Sequence, residues 1–420
     1  MVNNAYILNH LQSINLDIRQ THDGTWIDQK CAFDVVGYVA DCILNYVSDC
    51  EELGEDNPVF TIKTIWKQDY SRENINIFGK REVDIKDNEY DKFFGQPIKC
   101  LNHAGVITIH HKKGNQLFFN VVDMELLEYI SNGGQKALNF LQLYIEEVLK
   151  ASGLYDKYIE FWDKQDKDSY NDVKKDFEDA MIAYTGKGSR GGDPKTECDR
   201  IFIKVLNPLA YKYAKKGTES GSISDDIIQQ SDLVYNRKNF RDIYTGKPKN
   251  VSREEYERTF PREEQDGFAR YEIDRAKRAV RRYNRRNNAG LSECIADYSI
   301  SIDGIDYEIE KFECANRATQ VHHIFPKHEY ESIAAHLENL IALSPNQHVL
   351  YAHPNGNTQE INRLYQYYLL LCKIDRIKND GNGFYSVEKL QEVLNTGFET
   401  EEFNGVDDFD SIINIVKTKY

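Results

Sequence analysis

Closely spaced cysteine pairs are missing from this sequence. Its eight cysteines stand at 31, 42, 50, 100, 198, 294, 314 and 372, and none forms a CxxC pair. That scatter offers neither a zinc ribbon nor a thioredoxin-type redox site, and it reads as buried, reduced thiols of a cytoplasmic protein. Proline is scarce too, with 9 in 420 residues, which excludes collagen-like and proline-rich disordered chains. No apolar run is long enough for a bilayer: Ala32 to Val47 is too short and carries Asp34 and Asp41. The opening MVNNAYILNH has no basic region and no unbroken apolar core, so no secretory signal is expected. What remains is an ordinary globular composition, 40% hydrophobic, 12% aromatic and 29% charged. At a prior of ~150 residues per domain the length suits two or three domains.

Positive charge is outnumbered, for a net of −15, but the average hides a gradient. Between Thr185 and Gly290 there are 24 Lys/Arg against 16 Asp/Glu, a net of +8, and the rest carries −23. A basic middle in an acidic chain is the pattern of a polyanion footprint. Its densest stretch holds Arg270, Arg275, Lys277, Arg278, Arg281, Arg282, Arg285 and Arg286 in residues that favour helix. Arg278, Arg281, Arg282 and Arg285 fall at i, i+3, i+4, i+7, which makes one cationic stripe suited to phosphates. The bland alternative is a solvated face, with Glu272 and Asp274 pairing locally. Lys187 and Arg190 sit in a glycine-rich break, Thr185 to Pro194, that lacks Walker A spacing. It reads either as a linker or as a loop that lays both cations on phosphates. Arg237 and Arg241 add a further basic loop.

Residues 1 to about 95 read as helix-rich, with apolar spacing through Phe33, Val36, Val39, Ile43 and Val47. Two β-rich runs follow, Gly105 to His111 and Gln116 to Val122, around Lys112-Lys-Gly-Asn. Helical pattern then resumes from Met124 to Leu149. The hairpin suits either a DNA-binding wing or a structural ribbon.

Six of the eleven histidines lie between His322 and His353. Gln320 to Phe325 is a short β-rich run ended by Pro326. A loop leads to a second apolar run, Asn339 to Leu343. Ser344 then makes an N-cap with Pro345 in the first turn, opening a helix that carries His348. The order is strand, loop, strand, helix. The His322-His323 pair, Asn339 sixteen residues after His323 and His348 nine after that resemble the HNH, or ββα-metal, nuclease motif.

That resemblance implies His323 as general base, Asn339 as the residue that braces the base-bearing loop, and His322 and His348 as metal ligands. The chemistry is sensible on its own terms. A neutral imidazole near its normal pKa is a suitable base at pH 7, and one divalent ion can act as Lewis acid. Mg2+ is the expected ion, with Mn2+ or another divalent ion able to substitute. Many relatives bind a structural zinc through cysteine pairs; here Ser344 and Gln347 stand where one pair would fall, so no structural zinc is expected. His353, five residues after His348, lies off the face of an α-helix; it reads as a helix-end or core histidine, with a third metal ligand as the alternative. Arg317 and Lys327 flank the motif as candidate phosphate contacts. A rival D-x-K pattern, Glu82-Val-Asp84-Ile-Lys86 with Asp69 upstream, reads as an ordinary charged strand or loop.

The stretches His322 to His348 and Ala352 to Asn355, with Asn236 to Asp242 and Gly246 to Lys249, further resemble a group of type IIS restriction endonucleases whose sites contain GTCTC. The resemblance implies cleavage of double-stranded DNA at a fixed distance from an asymmetric site, and a cognate DNA methyltransferase. One such site cuts one strand, so double-strand cutting calls for a homodimer, transient or not, or two events. The expected fold is mixed α/β (α+β). It comprises a helix-rich N-terminal recognition region at 1–184, winged or not, and a basic DNA-contacting middle at 185–297. The HNH nuclease domain is expected at 298–380 and a C-terminal extension at 381–420. A less specific HNH nuclease of phage defence, and a non-catalytic DNA-binding protein with a relict site, are the alternatives. No membrane partner is expected.

Overall fold

The computed structural model describes residues 2–78, 87–187, 193–235, 262–294, 298–302, 305–309, 317–353 and 362–420. They form a mixed α/β fold, rich in helix, whose small sheets are antiparallel pairs of strands. The chain divides into two compact units, Val2–Gln265 and Asp266–Tyr420. The expected basic middle, 185–297, is therefore shared between the units rather than standing apart. Residues beyond 380 are no extension either. Leu390, Leu394, Ile412 and Val416 are fully buried in the same core as Ile324, Ile341 and Leu343 of the histidine segment.

In the N-terminal unit the helix Phe33–Glu52 is buried along most of its length, through Val36, Val39, Ile43 and Val47 among others. The helical run expected from Met124 is two helices, Met124–Ser131 and Gly134–Ala151. Asp123 caps the first by accepting from the Leu126 amide at 2.9 Å. The hairpin is present as Ile107–Lys113 paired with Gln116–Val121. Gly114 sits in its two-residue turn at φ +61, which glycine adopts without steric cost. Ile107 and Phe119 anchor the base, while Thr108 to Lys113 are exposed. The rival D-x-K stretch lies outside the described residues, apart from Asp69, which opens the short helix Asp69–Asn74.

The C-terminal unit is built around one hairpin, Gln320–His323 with Leu340–Leu343. The helix Arg262–Asn287 lays Ala276 and Val280 against Val321, Leu340 and Ala342 on one face of that hairpin. Ile341 and Leu343 face the opposite way, into a core shared with Tyr365, Tyr368 and Leu369 of the helix Arg363–Lys378. This is strand alternation at work: neighbouring residues serve opposite layers. Among the described residues no helix is long and apolar enough to cross a membrane. The seven cysteines described are free thiols, and all but Cys50 are buried.

Candidate metal centre

The strand pairing sets the site. His322 lies opposite Ile341 and His323 opposite Leu340, in regular register without a bulge. His323 is the last strand residue, so the chain can turn there, and both imidazoles line one pocket of about 530 Å³.

Ser344 caps the next element as expected: its hydroxyl accepts from the Gln347 amide at 3.3 Å, and Gln347 Oε1 accepts from the Ser344 amide at 3.1 Å. Gln347 also donates to the Cys294 carbonyl at 3.0 Å, so Ser344 and Gln347 form a hydrogen-bonded capping box. The turn that follows is not α-helical. Gln347–Ala352 is a π-helix, closed five residues apart rather than four. That wider turn corrects the reading of His353. Five residues after His348 points away on an α-helix, but here it returns to the same side.

Three imidazoles consequently converge. Ring centroids are 5.3 Å apart for His322 and His348, 4.8 Å for His322 and His353, and 4.8 Å for His348 and His353. One nitrogen from each lies within 4.8 Å of the others. Three nitrogens on one ion at about 2.1 Å stand roughly 3.4 Å apart, a spacing that small ring rotations reach. The buried Nδ1 of His353 has no hydrogen-bond partner among the described residues. A buried lone pair left unsatisfied is costly, and a ligated cation would satisfy it. Burial holds all three rings below the usual histidine pKa, and the mutual repulsion of the rings deepens the effect at His322 and His348. They are neutral at pH 7, the form that binds a metal. The donor set fits a divalent ion.

His323 stands beside this group in a different role. Its Nε2 lies 3.0 Å from the Ala334 carbonyl. A carbonyl only accepts, so Nε2 carries the proton and Nδ1 keeps its lone pair. Burial first, and then the charges of Lys277 and Lys327, push its pKa down to about 4 against the opposing pull of the Ala334 carbonyl. A bound anion would offset both lysines and return proton affinity to the ring.

Asn339 is fully buried and holds the loop between the strands. Its Oδ1 accepts from the Phe325 amide at 2.8 Å, and its Nδ2 donates to the carbonyls of Phe325 at 3.0 Å and Ile333 at 3.3 Å. Ile333 precedes Ala334, so one side chain ties both ends of the loop that orients His323. The side chain holds that loop through three backbone contacts.

The remaining expected cations separate into groups. Arg270, Arg281 and Arg286 are exposed, and Arg278 and Arg285 are half-buried. Arg275 is buried and paired with Glu272 at 2.7 Å, and Arg282 is buried. The helix buries Ala276, Ala279, Val280 and Tyr283, and this packing draws Arg282 under the surface. The four-residue cationic stripe is thus not a uniform solvent-facing surface. Lys187 turns inward to Asp28 at 3.5 Å and Glu197 at 4.0 Å, which ties its loop down rather than offering the cation outward. Lys327 is exposed and lines the histidine pocket; Arg317 is exposed, with its backbone bridged to Leu291. Arg190, Arg237 and Arg241 lie outside the described residues.

Sequence spacing alone missed two neighbours of the site. Gln366 lines the pocket and donates to the Ile324 carbonyl at 2.9 Å, fastening the Arg363–Lys378 helix to the strand end. Lys277 also lines the pocket, from the basic helix, where charge density had suggested only general phosphate contact. Compared with protein-family models, with curated proteins and with solved structures, the chain matches none.

Proposed function

We propose that this protein is a divalent-metal-dependent endonuclease of double-stranded DNA, with a site of the HNH kind. We further propose that it acts as a site-specific type II, and specifically type IIS, restriction endonuclease. One observation carries the reading: His322, His348 and His353 converge beside His323, whose loop Asn339 braces. A structural histidine site has no use for that separately oriented fourth imidazole.

In this reaction His323 takes a proton from the attacking water at Nδ1. The water oxygen bonds to phosphorus, the bond to the 3′ oxygen breaks, and that oxygen leaves with the electron pair and is protonated by solvent water. The three imidazoles would hold an ion, Mg2+ or Mn2+, which would supply Lewis acidity to the reaction. Asn339 keeps the base aligned through the Ile333–Ala334 carbonyls. The exposed arginines of the Arg262–Asn287 helix hold flanking phosphates. The Val2–Gln265 unit is left to read sequence, with the exposed hairpin as one candidate reader. A homodimer, formed at least transiently, would deliver cuts to both strands, and a cognate methyltransferase would shield host DNA.

The test is digestion of plasmid DNA by the purified full chain. Discrete bands with Mg2+ or Mn2+, abolished by chelation, are expected; a smear would favour the less specific nuclease. Complete inertness with both ions would overturn the reading. A second expectation concerns affinity. Arg281→Ala should weaken DNA binding and lower the salt-dependence slope by about one unit, as for one lost phosphate contact. Arg282→Ala should leave the slope alone and instead lower stability by about 1–3 kcal/mol, because a buried polar side chain is removed. An unchanged slope for Arg281→Ala would move the phosphate surface elsewhere.

A further inference from the structure

Lys277 is an unusual resident of the histidine pocket. Described residues lining that pocket include five histidines, Lys277 and Lys327, and no carboxylate. Lys277 is half-buried, and no hydrogen bond or ion pair satisfies it among the described residues. Burial, with the charges of Lys327 and Arg281, lowers its own pKa, and Asp274 on the exposed side of the same helix only partly opposes that. Its charge is felt in turn at His322, His323 and His348, so it stands near the ligands and the base together.

Its position is not accidental slack in a surface helix. Ala276 and Val280 flank it in sequence and are pinned to Val321, Leu340 and Ala342. That contact fixes the rotation of the helix about its axis and carries residue 277 to the mouth of the hairpin. A half-buried ammonium among neutral imidazoles costs stability unless an anion joins it. The fold keeps this cost in place beside the base.

We propose that Lys277 is a catalytic residue of this site, whose ammonium grips a non-bridging oxygen of the phosphodiester under attack. The inference rests on the nuclease reading and adds to it: the strand–loop–strand–helix module does not complete its own pocket. A helix earlier in the chain supplies the cation. Charge grows on the non-bridging oxygens as water adds, so a cation already in place and already desolvated favours that change over the ground state. Lys327, exposed on its loop, is the natural comparison, because a solvated cation pays little to be there and gains little when the anion arrives.

The experiment uses the full-length protein with Lys277→Met, Lys277→Arg and Lys327→Ala variants. Four readouts are taken: single-turnover cleavage at saturating protein, DNA affinity, Mn2+ affinity by calorimetry without DNA, and melting temperature. For Lys277→Met the cleavage rate should fall by about 10²–10³-fold, the usual loss for one preorganised charge-stabilising group. DNA affinity should change far less, because flanking phosphates are held elsewhere. Mn2+ should bind as tightly or more tightly, since a repelling charge has gone. The melting temperature should hold or rise, as expected when a residue is retained for function at a cost in stability. Lys277→Arg should keep part of the rate, and Lys327→Ala should lose much less. Cleavage by Lys277→Met at the wild-type rate would overturn the inference and leave the nuclease reading standing. A fall in rate matched by lost Mn2+ affinity and a lowered melting temperature would also overturn it, in favour of a structural role. Wild-type protein inert toward DNA would remove both.

Discussion

Replacing His323 with alanine is expected to lower DNA cleavage by about 10²–10⁴-fold, the range spanned by a positioned general base. DNA binding should persist, because His323 lies in the pocket and not among the exposed arginines. The expectation follows from atoms rather than from residue type alone. With Nε2 donating to Ala334, the ring has one tautomer and one free lone pair, at Nδ1. Glutamine at this position cannot take up the proton and should be as inactive as alanine. Asn339→Ala should resemble it for a different reason. Three backbone contacts are lost from a fully buried side chain, so the loop carrying Ala334 loosens and the tautomer is no longer imposed. That variant should also lose stability, by about 1–3 kcal/mol, for the unsatisfied amide and carbonyls left behind. Cleavage assays paired with band-shift measurements on both variants separate the two effects. Undiminished cutting by His323→Ala would take the base role away from this residue.

The parts of this site that were legible in the sequence are those decided locally. His322 and His323 read as a strand end because Pro326 stops the β-rich run. Ser344 reads as a cap because its side chain and Pro345 together suit a helix start. Asn339 was placed by its distance from His323 along a single loop. His353 was not legible, because its position depends on how wide the turn after Ser344 is. An α-helical count sends it away, and the π-helical turn at Gln347–Ala352 brings it back. Nothing in the residue types of Gln347 to Ala352 announces that turn. Lys277 was legible as a charge but not as a site residue, since its placement comes from Ala276 and Val280 packing on a hairpin some forty residues later. The same non-local packing defeated the expected boundaries near 297 and 380. Tyr283, Ile341, Leu390 and Val416 share one core, and composition shifts along the chain do not record that. Arg282 shows the converse error: helical spacing made it part of a stripe, while the apolar residues on either side bury it.

The loss of His353 should be felt first in the metal and only through it in cleavage. With three imidazoles and no carboxylate among the described lining, the donor set is all nitrogen. Imidazole suits borderline ions such as Mn2+, Ni2+ and Zn2+, whereas Mg2+ prefers carboxylate, carbonyl and water oxygens. Mn2+ should therefore support cleavage at lower concentration than Mg2+. His353→Ala should weaken Mn2+ binding by at least about 10²-fold, given that even outer-shell partners of such ligands cost 10–100-fold when removed. Two neutral rings would remain at His322 and His348, and raising Mn2+ should recover part of the activity. The same treatment should not recover His323→Ala, whose defect lies in proton transfer. Calorimetric titration of both variants, followed by cleavage at graded Mn2+, makes the distinction. Equal Mn2+ affinity in wild type and His353→Ala would return His353 to the helix-end role first read from its spacing. The ion would then be left on two protein ligands and its waters, a set that Mg2+ tolerates better.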